Sequence, residues 1–246
     1  MGYGVLMSSG EFDSSSFMIH GIFKYSFFGH EVWITNTHVS ILVIMILLIV
    51  FSLLGGRCLK KATMKPGKFQ NVVELLVEFL DGIVDKAMGK GAPKYYNYIG
   101  TLFVFILVSN ISGLLGLRPP TADYGVTLPL GILTFILVHY AEVRFNKPLD
   151  LWKDKCSPLP PWLPIWLPIN IISDIAVPIS LSLRLFANVL SGTIMMALVY
   201  GLLKWVALAW PAALHVYFDL FSGAIQTYVF CMLTMTYISS ARGDGN

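Results

Sequence analysis

The sequence has little charge, few cysteines and no recognisable catalytic motif. Only 13% of its 246 residues are Asp, Glu, Lys or Arg, about half the share usual in water-soluble domains, and this excludes an ordinary soluble globular protein. Three widely spaced cysteines argue against both a disulfide framework and a zinc site. The net charge of +3 is too small to indicate a nucleic-acid partner. No Gly-rich phosphate loop or nucleophile elbow is present, so we expect neither catalysis by this chain alone nor a cofactor or metal.

Long apolar segments are what the sequence has instead. Hydrophobic residues make up 56% of the chain, and a helix needs about 17–25 consecutive apolar residues to cross the bilayer. The sequence therefore predicts an all-α integral membrane protein with about five membrane helices. We expect them at His38–Gly56, Tyr98–Leu117, Thr127–Val143, Ile165–Leu203 and Val206–Ser239.

The last two segments are too long to stand upright in a bilayer. Val206–Ser239 would form a helix of roughly 50 Å at 1.5 Å per residue, against about 30 Å of hydrocarbon. We expect a hairpin of two long, strongly tilted helices. Such a pair has an extended, curved face, which suits a partner larger and rounder than one helix.

The chain between these spans divides into segments of different character. Phe69, Val73, Leu80 and Val84 recur at helical spacing among acidic residues, which predicts an amphipathic helix on the bilayer surface. The predicted organisation is an external N-terminal segment 1–37, a first span 38–56, a cytoplasmic amphipathic segment 57–97, two spans within 98–143, a cytoplasmic loop 144–164, the long hairpin 165–239 and a cytoplasmic tail 240–246.

Basic residues predict the orientation. Lys and Arg accumulate in cytoplasmic loops of membrane proteins, and here they concentrate in 57–94 and 144–155, with few in the other loops. This pattern places the N-terminus outside and, after five crossings, the C-terminus in the cytoplasm.

Arg184 is the outlier of the sequence because it lies in the middle of an apolar segment. An arginine near the bilayer centre costs from about 3 to more than 10 kcal/mol and cannot lose its proton. It is either a structural cation, paired or snorkelling, or a functional one that faces a counter-charge or water. Its central position favours the functional interpretation.

Polar side chains accompany Arg184 on both long helices. Asn188 lies one turn further along, in a stripe with Ser180 and Ser191. On the last helix Asp219 and Gln226 share a stripe with Ser222, Gly223 and Thr227, and His215 lies one turn before Asp219. Burial favours proton exchange by Asp219, whereas His215 is either a packing residue or part of the same path. Asp174 is either a solvated helix end or the lining of a cytoplasmic exit, and Glu142 and His139 are expected at the interface.

Two stretches carry a resemblance to a known family. Ser180 to Asn188, SLSLRLFAN, resembles the SLxLRLFxN signature of the a subunit of F-type ATP synthases. Ile225 to Phe230, IQTYVF, with LT at 233–234 and YI at 237–238, is similar to the family's C-terminal motif, and Asp219 matches its upstream acid. Gln70 to Glu78, Ser109-Asn110 and Pro120 to Asp123 also resemble family segments, so the resemblance extends from about residue 38 to the last helix.

The resemblance implies a stator subunit in a bacterial plasma membrane, non-catalytic itself, that translocates protons through two half-channels. The implied partners are a rotating c-subunit ring, a b-subunit peripheral stalk and the lipid bilayer. Arg184 matches the arginine that faces the ring carboxylates, and Asn188, Asp219 and Gln226 match polar positions on the ion path. Thr193 stands where many members have Glu or His, and Gly113 where some have an acid. The alternative is a self-contained secondary transporter in which Arg184 binds an anionic substrate.

Overall fold

The computed structural model describes residues 21–27, 30–60, 67–89, 93–115, 117–145, 166–202, 214 and 216–242. Five of its helices are long and apolar enough to cross a membrane, which confirms the predicted class of helical membrane protein. Several predictions lie outside the described residues. These include His215, residues 206–213 of the last predicted span, most of the loop 144–164, the first twenty residues of the N-terminal segment and most of the C-terminal tail.

The described part of the chain begins with a β-hairpin that the apolar pattern of the sequence does not predict. Strand β1, Gly21–Phe27, pairs antiparallel with strand β2, His30–Thr35. Helix α1, Asn36–Lys60, follows β2 directly and is the first spanning helix. The helix therefore starts two residues before the predicted span and extends four residues beyond it.

Helix α2, Lys68–Met88, is the predicted amphipathic helix. Val73, Leu80 and Val84 are buried against the membrane helices, because their spacing places them on one side of the helix. Val72 and Phe79 are more than half exposed on another side. The helix ends at Gly89, which has a φ of +69° and donates its amide to the Asp85 carbonyl. A residue without a Cβ adopts this left-handed conformation without strain.

Two further spans follow in the chain. Helix α3, Pro93–Ile111, leads through a 3₁₀ turn at Ser112–Leu115 and another at Pro120–Ala122 into helix α4, Tyr124–Phe145. The α3 face formed by Ile99, Leu102 and Ile106 is buried in the core.

The long hairpin completes the membrane part. Helix α5, Trp166–Leu202, has 37 residues, which corresponds to about 56 Å at 1.5 Å per residue and exceeds the hydrocarbon thickness. A π-helical segment, Val216–Ser222, then leads into helix α6, Gly223–Arg242. Leu181 and Leu185 of α5 share the core with Phe230, Met235 and Ile238 of α6.

Small residues bring the helices close together. A Cβ at Gly131 of α4 would lie 2.6 Å from the Pro178 carbonyl oxygen and 3.2 Å from Ser182 Cβ on α5. A Cβ at Gly223 of α6 would lie 2.9 Å from Asn110 Cβ on α3. Membrane helices associate through such close backbone approach, because lipid provides no hydrophobic drive for side chains to meet. These two contacts fix the positions of α5 and α6, which carry most of the predicted site.

Candidate functional site

Arg184 lies on the outward side of α5. Its neighbours Leu181, Ser182 and Leu185 are at most 2% exposed and face the other helices. The opposite side presents Arg184 together with Ser180 and Leu183, all exposed. Burial of the leucine face therefore orients the guanidinium away from the helix bundle.

Within the part of the chain that the structure describes, Arg184 forms no ion pair or hydrogen bond. Its neighbours on the outward surface include Ile179 and Leu183, each more than 40% exposed. An exposed apolar surface in a membrane span faces lipid or another protein. A permanent cation on such a surface requires a counter-charge or water from beyond the described residues.

Asn188 connects α5 to the π-helical segment. Ser222 Oγ donates a hydrogen bond of 3.1 Å to Asn188 Oδ1. One turn further along α5, a Cβ at Gly192 would lie 3.6 Å from Phe218 Cβ. Asn188 is thus level with Ser222 and Gly192 with Phe218, so the two elements run antiparallel in constant register. One turn in the other direction, this register places Arg184 level with Gln226.

Gln226 is buried rather than open to the outward face. It is 8% exposed, and its Nε2 has no hydrogen-bond partner among the described residues. A buried amide without a hydrogen-bond partner lowers the stability of the fold by about 1–3 kcal/mol relative to a hydrogen-bonded one. The predicted stripe on the last helix is divided, because Gly223 and Thr227 are also buried whereas Ser222 is only half-buried.

Asp219 projects from the π-helical segment towards the 3₁₀ turn that follows α3. A Cβ at Gly113 would lie 3.0 Å from Asp219 Oδ2 and 3.2 Å from Cγ. The carboxylate thus occupies space that is open only because residue 113 has no side chain. Single π-helical turns within α-helices frequently occur at functional positions, since they change the direction of a side chain. Thr193 Oγ1 donates to the Leu190 carbonyl within its own helix, and this bond satisfies its hydroxyl hydrogen.

Asp174 lies near His139 of α4, close to the other end of the helix pair, and His139 in turn lies near Glu142. His139 Nε2 is 3.9 Å from Asp174 Oδ2 and 3.9 Å from Glu142 Oε2. The sequence predicts His139 and Glu142 at the membrane interface and indicates no link between them and Asp174. Their proximity depends on how α4 packs against α5, which the spacing along one helix does not indicate.

Asn110 is the centre of a buried hydrogen-bond network that the sequence analysis did not identify as functional. Its Nδ2 donates to the Gly223 carbonyl and to Thr227 Oγ1, at 3.1 and 3.3 Å, and Thr121 Oγ1 donates to its Oδ1 at 2.7 Å. Asn110 thereby ties α3 and the turn before α4 to the start of α6. A lone asparagine in an apolar span was the signal, because a buried amide needs partners.

Comparison with known proteins identifies the family. The model of the family described as ATP synthase A chain matches residues 38–239. The chain belongs to this family. It is 34% identical over 201 residues to the sodium ion specific ATP synthase subunit a of Propionigenium modestum, covering 75% of this chain and 67% of the relative. It is also 33% identical to the ATP synthase subunit a of Bacillus subtilis, over 90% of this chain and 97% of the relative. The identity to the ATP synthase subunit a of Oceanobacillus iheyensis is 33% too, over 92% of this chain and 97% of the relative.

Membership of the ATP synthase a-chain family confirms the predicted family and its ion-translocating role. The chain is a membrane-sector subunit of an F-type ATP synthase and works in a complex with the other subunits. The alternative of a self-contained secondary transporter is not favoured.

Proposed function

We propose that this chain conducts protons through two half-channels and that Arg184 is the barrier between them. The observation that carries the proposal is the outward guanidinium on an apolar span, without a partner in the described chain. A c-subunit ring packed on this face would supply the missing counter-charge through its carboxylates. Each ring carboxylate would ionise beside the cation and take up a proton again on leaving it.

The acids on the two sides of Arg184 support separate access routes. Asp174 precedes Arg184 by ten residues, about 15 Å along the helix. By the register of the hairpin, Asp219 lies level with Ser191, about 10 Å beyond Arg184 in the other direction. A proton entering at one acid would therefore reach the other only past the cation or on the rotating ring. A permanent positive charge repels a proton that would pass Arg184 directly. The proton must therefore travel on the rotating ring.

The distribution of basic residues supports the orientation. The Lys and Arg residues of 57–94 and 144–155 favour a cytoplasmic location for the α1–α2 and α4–α5 connections. In this orientation Asp219 lies on the external route, with Asn188 and Gln226 further in, and Asp174 lies on the cytoplasmic route. His215, one turn before Asp219 in the sequence, would belong to the external route. The membrane would be a bacterial plasma membrane, with the N-terminus outside and the C-terminus inside.

The remaining roles follow from this arrangement. The chain would form and break no covalent bond, and it would remain fixed to a b-subunit stalk while the ring rotates. Each charge that crosses contributes about 2.3 kcal/mol per 100 mV, so several crossings would drive one ATP synthesis in another part of the complex.

Arg184→Ala tests the proposal in the complete ATP synthase, reconstituted in vesicles. We expect ATP-driven proton pumping to be abolished while the complex still assembles, because no other cation would occupy the position between the routes. Passive proton leak should rise. Pumping would be measured with a pH-sensitive dye and assembly by subunit composition.

Arg57→Ala is the matched control, because Arg57 is an exposed arginine near the end of α1 and lies outside the proposed path. It should pump normally. Near-normal pumping by the Arg184→Ala complex would refute the barrier.

Replacing the proton gradient with a sodium gradient of equal size would test which ion drives ATP synthesis, because the relative from P. modestum is sodium ion specific.

A further inference from the structure

The cytoplasmic end of α4 carries a histidine held between two carboxylates from different helices. His139 Nε2 lies 3.9 Å from Glu142 Oε2, one turn further along α4, and 3.9 Å from Asp174 Oδ2 on α5. The three side chains are between 23% and 36% exposed. They are thus open enough for water to reach them and enclosed enough to keep a defined arrangement.

The environment of the ring determines which nitrogen exchanges protons. His139 Nδ1 lies 3.2 Å from the Phe135 carbonyl oxygen, and a carbonyl oxygen only accepts hydrogen bonds. We therefore assign the proton of the neutral ring to Nδ1. The Phe135 ring, with its centroid 4.1 Å from that of the imidazole, holds the ring from the same side. Nε2 then carries the free lone pair, and it is the atom that lies between the two carboxylates.

The distances suit proton transfer through water. A gap of 3.9 Å exceeds a direct hydrogen bond, but one bridging water or a small side-chain rotation closes it. Nε2 can accept a proton from the carboxylic acid of Asp174, leaving a carboxylate and an imidazolium. The imidazolium can release that proton to Glu142 or to cytoplasmic water. One proton moves, and the histidine returns to its neutral form.

The surrounding charges allow both steps. Two carboxylates, of opposite charge, lie near the imidazolium that this step forms, and basic groups lie near the end of α4. Those groups are Arg144 on α4 itself and Arg242 of α6, whose guanidinium lies 5.2 Å from the Phe145 ring centroid.

We propose that His139 is a proton relay of the cytoplasmic half-channel, which connects Asp174 on α5 to Glu142 and the cytoplasmic water. The proposal rests on the function proposed above and adds a residue to its cytoplasmic route. It also gives Asp174 a defined neighbour for proton exchange, which its position near a helix start alone does not provide.

His139→Asn in the complete reconstituted ATP synthase tests the relay. Asparagine can still donate to the Phe135 carbonyl but does not titrate. We expect the initial rate of ATP-driven charge transfer to fall on the order of tenfold, less than for an obligatory acid–base group, because water partly substitutes. Imidazole added on the cytoplasmic side should restore much of the rate. The rate is read as membrane potential, which permeating neutral imidazole does not discharge.

Two further variants separate the relay from a structural role. His38→Asn is the matched control, since His38 lies at the start of α1 and contacts Thr35. It should retain the wild-type rate with and without imidazole. Asp174→Asn combined with His139→Asn should be scarcely slower than the slower single variant, because consecutive members of one path are not additive.

Several outcomes would overturn the relay. A wild-type rate in assembled His139→Asn, a loss that imidazole does not restore, or failure of both His139→Asn and His139→Phe to assemble would each assign His139 a dispensable or structural role. Arg184→Ala in the same vesicles distinguishes the two proposals. If it abolishes transfer while His139→Asn does not reduce it, the relay alone is wrong. If Arg184→Ala pumps normally, the underlying function is wrong.

Discussion

At the residue scale, the position of Arg184 shows how a costly side chain is placed. No described residue pairs with Arg184. Leu181 and Leu185, on the opposite side of α5, are buried. The free energy that holds the guanidinium on the apolar face comes from packing of the opposite face. Its charge is consequently available to a partner outside the chain.

Asp219 and Gly113 are a second case in which one residue depends on another. The Asp219 carboxylate lies where a side chain at residue 113 would be, so the acid fits only beside a glycine. An acid at both positions would bring two carboxylates together, which disfavours ionisation of both. This accounts physically for a glycine at 113 in a chain that carries its acid at 219.

Gly113→Ala should displace the Asp219 carboxylate and slow proton-driven ATP synthesis, because its Cβ would lie 3.0 Å from Oδ2. Asp219→Asn should slow synthesis at least as much with little loss of assembly, and Asp219→Glu should retain more activity than Asn. ATP synthesis in energised vesicles is the measurement. Gly56→Ala is the control because nothing lies within 4 Å of a Cβ there, and a synthesis rate in Gly113→Ala equal to that control would contradict the contact.

At the element scale, the crossing of α4 and α5 determines what the site contains. The Gly131 backbone contacts Pro178 and Ser182, and the same pair of helices brings His139 to Asp174. Both contacts depend on the separation and rotation of two apolar helices. A small change in that separation would therefore alter the acid–histidine cluster.

Gly131→Ala should destabilise the complex by about 1–3 kcal/mol, the usual cost of an overpacked position, because its Cβ would lie 2.6 Å from the Pro178 carbonyl oxygen. We expect a lower Tm of the extracted complex and a lower yield of assembled enzyme. Gly100→Ala is the control, since its Cβ would make only an ordinary 3.7 Å contact with Leu80 Cδ1. Equal Tm values for the two variants would show that α4 and α5 separate without cost.

At the scale of the whole molecule, the two long helices provide one outward surface. Exposed apolar residues continue from Leu183 and Ile194 of α5 to Phe221 of the π-helical segment and to Ile225 and Tyr228 of α6. The Asn188 contact with Ser222 joins the two elements beneath this surface. A surface of this extent suits a large, round partner such as a ring better than a single helix.

Topology gives a prediction for the molecule as a whole. A cysteine introduced at Glu11 should react with an impermeant thiol reagent from outside, and Cys58 only from the cytoplasm, because basic residues favour the cytoplasmic side. Mass spectrometry after labelling of intact cells and inverted vesicles would measure both. Cysteine-free protein provides the background, and the reverse pattern would refute the orientation.

The sequence by itself determined the class and the family, and it predicts Arg184 as the central residue of the site. Apolar length alone predicts the spans, since a bilayer excludes charge over about 30 Å, and the segment around Arg184 carries the family signature. Helix ends differed from the prediction by a few residues, because apolar length does not record where hydrogen bonding begins. The hairpin before α1 is not indicated by the apolar pattern, because that pattern identifies membrane-spanning length and not strands.

Only the tertiary structure decided which polar residues meet. His139 with Asp174, Asp219 with Gly113, and Asn110 with Thr227 are contacts between helices far apart in the sequence. Periodicity assigns a residue to a face of its own helix, but not to a neighbour, a depth or a register. Those depend on close backbone contacts such as Gly131 with Pro178 and on the π-helical turn that directs Asp219, and both arise only when the helices pack.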